Sequence, residues 1–468
     1  MFAIIITFLG LASSSPAPDT TFRTDVNLAV YASDAGQTPF WQRSLRYGQV
    51  PIKNPGVVAI FRHAKTDNYL DKLGWKYEVE ATAWGGKSND VLLTQAYVAG
   101  RFKKWELWAG RRKEIIGLGD TSLTSGFYAW SGNATPMPKV QFGTRDYINI
   151  FKGWVGLHMT YSHGWFDNQG NTLNAYLHQK TLYGRIGKPN SFINVFGGIN
   201  HNVSWGGESR VKTGGEYDYY PSDLTAYFYV VTALKDRSIV KINQTLSYDD
   251  ANNQFGNHLG SIDLALKLQP KWGQVLVYKQ TPYETGRVAS LTTFDDGITG
   301  ISFRLKEKSF VDHIVLENIY TANQGTYISW LGKLLNLPDP HKSEIESYFN
   351  NGGRGSFNYQ GKGIGTPMII IDSESLQGGD RTFTYNAVNS WYLGIGGQVS
   401  NSLLYQFRLS YGTHAKILGP GLKQLSSSID VQKTLTNKLI LQGSLAIDQG
   451  DRLPGNVGAR IGAKYIIQ

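Results

Sequence analysis

The chain has 468 residues, a formal net charge of +10, 53 glycines, 27 tyrosines, 21 phenylalanines, 12 tryptophans and no cysteine. The missing cysteine excludes disulfide stapling, thiol catalysis and lipid attachment through an N-terminal Cys, and no stretch reaches the roughly 18 apolar residues of a spanning helix. The basic balance favours acidic partners by long-range attraction, either anionic glycan or lipopolysaccharide phosphate.

Residues 1–17 hold an apolar stretch from Phe2 to Leu11 and then small residues to Ser15, the pattern of a secretory signal. Residues 22–468 read as a single domain of period-two strands. Val26, Leu28 and Val30 oppose Asp25 and Asn27; Trp75, Tyr77 and Val79 oppose Lys76, Glu78 and Glu80. Leu264, Leu266 and Leu268 oppose Asp263 and Lys267, and Val457, Ala459, Ile461, Ala463 and Tyr465 oppose Asn456, Gly458, Arg460 and Lys464. One face suits hydrocarbon and the other water, which predicts an all-β chain forming a transmembrane antiparallel β-barrel rather than a soluble sandwich or propeller.

The connections alternate in length. Short polar turns are expected near 103–104, 151–153, 188–190, 235–237, 269–271, 306–308, 401–402 and 436–438. Long polar stretches run through 114–140, 166–175, 205–222, 249–257, 281–296, 322–388, 413–423 and 449–455. Short turns are periplasmic and long loops external in outer-membrane barrels, so both termini are expected in the periplasm. The segments number 18 to 20, with about 18 strands the reading adopted. Such a barrel has an aqueous lumen unless loops fill it, and the loops 114–140 and 322–388 are candidates to fill it partly. A helix is expected over Lys342–Phe349, after Pro338-Asp339-Pro340.

Several residues are candidates for chemistry. Arg112 falls in register with Glu106 and is expected to face the lumen, whereas Arg111 falls with Trp105 and Leu107 near the outer rim. With Lys113 they form a basic run that either binds sugar carboxylates or fixes an inserted loop through bidentate pairs. Tyr128, Trp130, Asn133, Trp205, Tyr217, Tyr219 and Tyr220 lie in long loops, where aromatic rings stack on sugar faces or anchor at the membrane interface. His158, His178, Lys180 and Arg460 are read, with Glu106, as lumen lining. The nine His show no tight pair at ligand spacing, so no metal or cofactor is expected. Asp295-Asp296 offers at most a weak hard-cation site or a solvated loop tip. Catalytic signatures, Walker motifs and nucleic-acid modules are absent, and Asp120, Ser125 and His201 make only a loose triple.

The ordered run Trp105-Glu106-Leu107-Trp108-Ala109-Gly110-Arg111-Arg112-Lys113-Glu114, Gly117-Leu118-Gly119-Asp120, Ser125-Gly126 and Gly132-Asn133-Ala134-Thr135-Pro136-Met137-Pro138-Lys139 resembles the capsule assembly Wzi family of Bacteroidetes-type bacteria. Pro39-Phe40-Trp41 with Tyr47-Gly48-Gln49-Val50-Pro51, Leu177-His178-Gln179-Lys180, Gly198-Ile199-Asn200-His201 with Trp205-Gly206-Gly207, and Ser347-Tyr348-Phe349-Asn350-Asn351-Gly352 with Gly363-Ile364-Gly365-Thr366-Pro367 fit the same pattern. The resemblance implies an outer-membrane barrel of about 18 strands with an occluded lumen, whose outer surface binds capsular polysaccharide like a lectin. A first strand near Asp25 is expected to leave no room for the N-terminal helical bundle of the enterobacterial members. The expected function is tethering of acidic surface polysaccharide by a monomeric, non-enzymatic protein embedded among outer-membrane lipid and lipopolysaccharide. A porin or an oligosaccharide and anion channel is the alternative.

Overall fold

The computed structural model describes residues 22–467 except 69–70, 169, 211–218, 235–254, 285–290, 339–344 and 352–353. The signal segment therefore lies outside the described residues. The chain forms a closed antiparallel barrel of 18 strands. These are β1 Phe22–Ser33, β2 Gly56–Lys65, β3 Leu73–Gly86, β4 Asp90–Phe102, β5 Trp105–Arg111, β6 Pro138–Thr144 continued by Ile148–Ile150, β7 Val155–Trp165, β8 Tyr176–Ile186 and β9 Ile193–Trp205. They continue as β10 Gly256–Leu268, β11 Gly273–Tyr283, β12 Gly297–Leu305, β13 His313–Tyr320, β14 Ala387–Ser400, β15 Leu403–Ala415, β16 Gly421–Thr434, β17 Leu439–Gly450 and β18 Asn456–Ile466. Each strand pairs with its sequence neighbour, and β1 closes the ring on β18 from Asp25↔Ile466 to Ser33↔Gly458. Hydrocarbon offers no partner for a bare N–H or C=O, so this last pairing is what lets the sheet sit in a membrane.

Alternation sorts the side chains. Leu28, Val30, Phe61, Val98, Leu107, Leu182, Leu264, Ile429, Leu445 and Ile461 stand exposed on the outer wall, while Asp25, Arg62, Glu78, Glu80, Arg101 and Glu106 are buried inside. A belt of apolar side chains circling the whole sheet far exceeds the patch a water-soluble protein exposes, and it matches a lipid-facing surface.

The connection between β9 and β10 differs from expectation. These strands pair over their full length, Ile193↔Leu268 to Trp205↔Gly256, so 206–255 is one connection and holds no barrel strand among its described residues. Its described part includes the helix Leu224–Thr232, and the turn expected at 235–237 lies outside the described residues. The upper limit of 20 strands therefore falls to 18. A further long connection, 34–55, holds a single helical turn, Phe40–Arg43. Of the helix expected at 342–349, residues 342–344 lie outside the described residues and 345–349 are non-helical; a helical turn lies earlier, at Trp330–Leu334. In chain order these helical elements are α1 (Phe40–Arg43), α2 (Leu224–Thr232) and α3 (Trp330–Leu334).

Three of the long connections fold into the lumen. From 34–55, Trp41 Nε1 donates to Ser410 Oγ at 3.1 Å, Phe40 N to Asp448 Oδ2 at 2.8 Å and Gln42 Nε2 to Ser444 Oγ at 3.2 Å, all on the inner wall. From 112–137, Ser125 N donates to Glu317 Oε2 and Tyr128 N to Gln280 Oε1, each at 2.7 Å. The same loop carries Asp120 to His313, 2.7 Å away at the short-turn end of β13, so it runs almost the full height of the barrel. The 321–386 segment lies across both: Ser131 Oγ donates to Gly365 O at 2.6 Å and Asn133 Nδ2 to Gly363 O at 3.0 Å. Phe40, Trp41, Leu123, Tyr128, Trp130, Tyr348, Phe349, Phe357 and Ile369 join inward Leu177, Leu259 and Tyr392 in one apolar cluster. A filled, packed core replaces the aqueous lumen expected of an empty barrel of this size.

Candidate functional site

The lumenal charges are bound to one another. Arg112 reaches Glu106 at 2.5 Å, and Lys76 reaches the other Glu106 oxygen at 2.7 Å. Lys113 pairs with Glu80, and Lys139 with Glu114 at 2.6 Å. Asp430 accepts from Arg408 at 3.0 Å and from Arg46 and Arg460 at 3.3 Å each, joining the 34–55 loop to β15, β16 and β18. Glu374, in the 321–386 segment, meets Arg43 of the 34–55 loop and Lys362. Burial pushes the Glu374 carboxyl up, but the two cations outweigh it and hold it down at about 2. His158 faces inward, hydrogen-bonded to Thr144 Oγ1 at 2.8 Å.

Arg111 is not on the outer rim. Gly110 takes φ +123°, a conformation only glycine adopts without strain, and this breaks the alternation. Arg111 then turns onto the inserted loops, donating to Pro136 O at 3.0 Å with its guanidinium 5.6 Å from the Tyr359 ring. His178 and Lys180 are not lumen lining either. They share a face with Leu182, which is exposed, and so lie on the outer wall of β8. There they sit under α2: Lys180 Nζ donates to Val231 O, and the His178 and Tyr227 rings are 5.8 Å apart.

The loop aromatics divide. Tyr128 and Trp130 are buried inside the barrel, and Asn133 ties two loops together. Trp205 is buried on the outer wall with Val203, Ala226 and Val230. Tyr220 is buried beneath the Arg354 guanidinium, 4.0 Å from its ring, while Tyr219 is exposed and Tyr217 lies outside the described residues. Asp296 carboxylate oxygens accept from Asn323 N, Gln324 N and Tyr348 Oη at 2.7–3.0 Å, so donors rather than a cation occupy them. Asp120, Ser125 and His201 do not converge: Ser125 is held by Glu317, Asp120 by His313, and His201 faces outward.

An opening lies at the long-loop end, a cleft of about 440 Å³ between loop 166–175, the ends of β9 and β10, and segment 354–382. Its lining includes Phe166, Asp167, Asn171, Arg210, Asn257, Arg354, Asn358, Asp380 and Arg381. Arg354 is fixed by its bond to Gly206 O at 3.0 Å. Arg381 Nη1 is buried with no hydrogen-bond partner among the described residues, an unmet donor beside a polar cavity. Sequence reasoning passed over these arginines, because nothing in the period-two pattern marks loop residues far apart in the chain as neighbours. The three guanidiniums with amide side chains and a half-buried ring can hold a polyhydroxylated, anionic ligand through charge-assisted bonds.

Comparison of the sequence with protein-family models and with curated proteins finds no match. Among solved structures, the chain is similar to Wzi of Escherichia coli, an outer-membrane protein involved in group 1 capsule assembly and a carbohydrate-binding β-barrel. The two share 15% identity at a TM-score of 0.58 over 94% of this chain and 83% of that one. An anion-selective porin from Comamonas acidovorans matches at 8% identity and a TM-score of 0.41 over 96% and 99% of the two chains. OpdQ of Pseudomonas aeruginosa matches at 9% and 0.46 over the same shares. At these identities the likeness is one of fold, and the fold is Wzi-like.

Proposed function

We propose that this chain is an outer-membrane, lectin-like barrel of the Wzi type that binds an acidic surface polysaccharide and tethers it to the cell. Residues 1–17 would be removed on export, both termini would face the periplasm, and the monomer would sit among outer-membrane lipid and lipopolysaccharide. It is read as a binding protein, without cofactor and not an enzyme. The observation that carries this reading is the filled lumen with its cations paired to carboxylates, which leaves the loop surface as the place for a ligand. There the cleft lined by Arg210, Arg354 and Arg381 supplies guanidinium groups, with Arg381 Nη1 lacking a hydrogen-bond partner among the described residues, and ring surface. This role is assigned to the cleft rather than to Arg111, Arg112, Lys113, Tyr128, Trp130 and Trp205, whose side chains are engaged internally or on the outer wall.

Purified protein should bind immobilised acidic capsule polysaccharide more tightly than a neutral glucan, with affinity falling as salt rises. Arg381→Ala should weaken that binding about tenfold, the loss of one charge-assisted contact of roughly 1.4 kcal/mol. Planar-bilayer recordings should show little steady conductance. Large anion-selective steps with no polysaccharide binding would favour the channel reading instead. Cells lacking the protein should make capsule but shed it, and a stop in synthesis would refute tethering.

A further inference from the structure

We propose that α2, with the two residues that follow it, is a membrane-embedded element, docked on the outside of the barrel and presenting Leu224, Phe228 and Leu234 to the acyl chains of the leaflet on the long-loop side. The inference goes beyond the glycan-binding reading and holds whether or not the cleft takes a sugar.

The position comes from contacts on the lipid-facing wall. Outward residues of β7 to β10 are fixed by their register with exposed Leu182, Val195 and Leu264. By that register His163, His178, Lys180, His201, Val203, Trp205 and His258 all point out of the barrel. On this surface α2 packs Ala226 and Val230 against Val203 and Trp205. Tyr227 lies 5.2 Å from the Trp205 ring and 6.1 Å from that of His163, and its hydroxyl meets that of Tyr161. Val231, near the helix end, is level with Lys180, four residues in from the long-loop end of β8. At roughly 3.3 Å per residue that is about 13 Å along the strand, so the helix descends along the wall and does not stand above it.

The wall beneath explains why a cover is needed. Lys180 and a group of histidines, with His201 Nε2 2.8 Å from His258 Nδ1, form a polar stripe where the rest of the belt is apolar. An ammonium facing lipid is costly, most so toward the bilayer midplane. The last carbonyls of a helix carry its negative end, and Val231 O accepts from Lys180 there. The helix thereby shields the stripe and satisfies its cation.

The occupant of the opposite face follows from composition and continuity. From Leu224 to Leu234 the sequence Leu-Thr-Ala-Tyr-Phe-Tyr-Val-Val-Thr-Ala-Leu carries no charge. Leu224 is 87% exposed, Phe228 53% and Leu234 55%. That surface continues the apolar belt of the barrel outward by one helix, and acyl chains already cover the belt on either side.

The absence of cysteine makes the test direct. Phe228→Cys and, separately, Leu224→Cys would be labelled with an environment-sensitive fluorophore and the full chain reconstituted into phospholipid bilayers, folding being checked by heat-modifiable migration. We expect at least twofold stronger quenching by acyl-brominated lipid than by aqueous iodide at both positions. Iodide quenching without bromolipid quenching would place the face in water and overturn the proposal. Self-quenching that grows with protein density and displaces the bromolipid effect would assign the face to a second copy, and would overturn it equally. If one variant fails to fold, the other reads the same face.

Discussion

Replacing Asp430 with Asn tests whether internal ion pairs hold the inserted loops in place. One carboxylate faces three guanidiniums at 3.0–3.3 Å: Arg408 and Arg460 on the wall, and Arg46 on the 34–55 loop. The side chains are 11–22% exposed, so the site is largely but not wholly withdrawn from water. Removing one partner of a buried pair costs about 3–5 kcal/mol because it strands the opposite charge. Residual solvent and the ability of Arg46 to swing away place the effect at the lower end, about 3 kcal/mol. Only the loop can move, since Arg408 and Arg460 are held by the β-ladders. The cost should therefore appear as a shift of roughly two decades in the ratio of seated to displaced loop, at about 1.4 kcal/mol per decade. In planar bilayers the native barrel should be quiet, and Asp430→Asn should open about a hundredfold more often. Arg46→Ala in the Asp430→Asn background should lower the repulsion and restore part of the closed state, a coupling that a double-mutant cycle measures. Asp430→Asn protein as quiet as native, with an unchanged melting temperature, would refute the reasoning.

The Glu374 pin between loops should be acid-sensitive. Its pKa of about 2 lies below the ordinary carboxyl value of 4.5, so its contribution is complete above that value and lost as pH falls from about 4.5 to 2. The full loss is about 3 kcal/mol, and the conductance of the native protein should rise over that window while Glu374→Gln is open and flat across it. At Gly394 on the inner wall, an added Cβ would lie 2.7 Å from Leu123 Cγ and 2.8 Å from Leu123 O. Gly394→Ala should push the 112–137 loop off the wall at a cost of about 1–3 kcal/mol, read as new protease cuts in that loop with the barrel still heat-modifiable. Trp205→Ala should remove the buried ring on which α2 rests, lowering thermal stability by about 3 kcal/mol, while polysaccharide binding stays at the native level.

The barrel was legible because hydrocarbon on one side and polar surface on the other impose strict period two, and because turn and loop lengths alternate. The exceptions have physical causes. Leu224–Thr232 is rich in Tyr, Phe and Val, which suit a half-buried strand as readily as a helix. The deciding signal was Asp223, whose Oδ1 accepts from Ala226 N at 2.8 Å as a helix cap. The phase of β8 was ambiguous because both faces carry polar residues; Leu182 and Ile186 marked the outward one, and His178 and Lys180 go with them. Arg111 escaped its expected face through Gly110, a residue whose presence near a strand end signals such a break. Loop 34–55 carried Phe40 and Trp41, large apolar side chains inside a polar connection, which marks insertion rather than exposure. The cleft was out of reach, since it is assembled from loops some 200 residues apart whose meeting depends on the inserted segments.

The pairing inside the barrel bears on what the protein can hold. A lumen that selects anions must offer cations with no better partner, so that a passing anion gains more than it displaces. Here Arg46, Arg112, Lys113, Lys139, Arg408 and Arg460 each already face a carboxylate. An entering anion would exchange one charge partner for another and lose its own hydration, with little net gain. At the cleft the lining brings three guanidiniums together with Asp167 and Asp380, Arg381 Nη1 has no hydrogen-bond partner among the described residues, and an Asp167 oxygen is engaged by Gln360 N at 2.9 Å. A single sugar carboxylate there gains only one or two charge-assisted contacts, which is weak binding. A polymer that repeats the same acidic unit engages many copies of the barrel in one membrane at once, and its retention scales with the number held rather than with the strength of each. On the proposed reading, modest contacts at the cleft are enough to keep a polysaccharide at the surface, and short oligosaccharides of the same sugar should wash away where the full-length polymer remains bound.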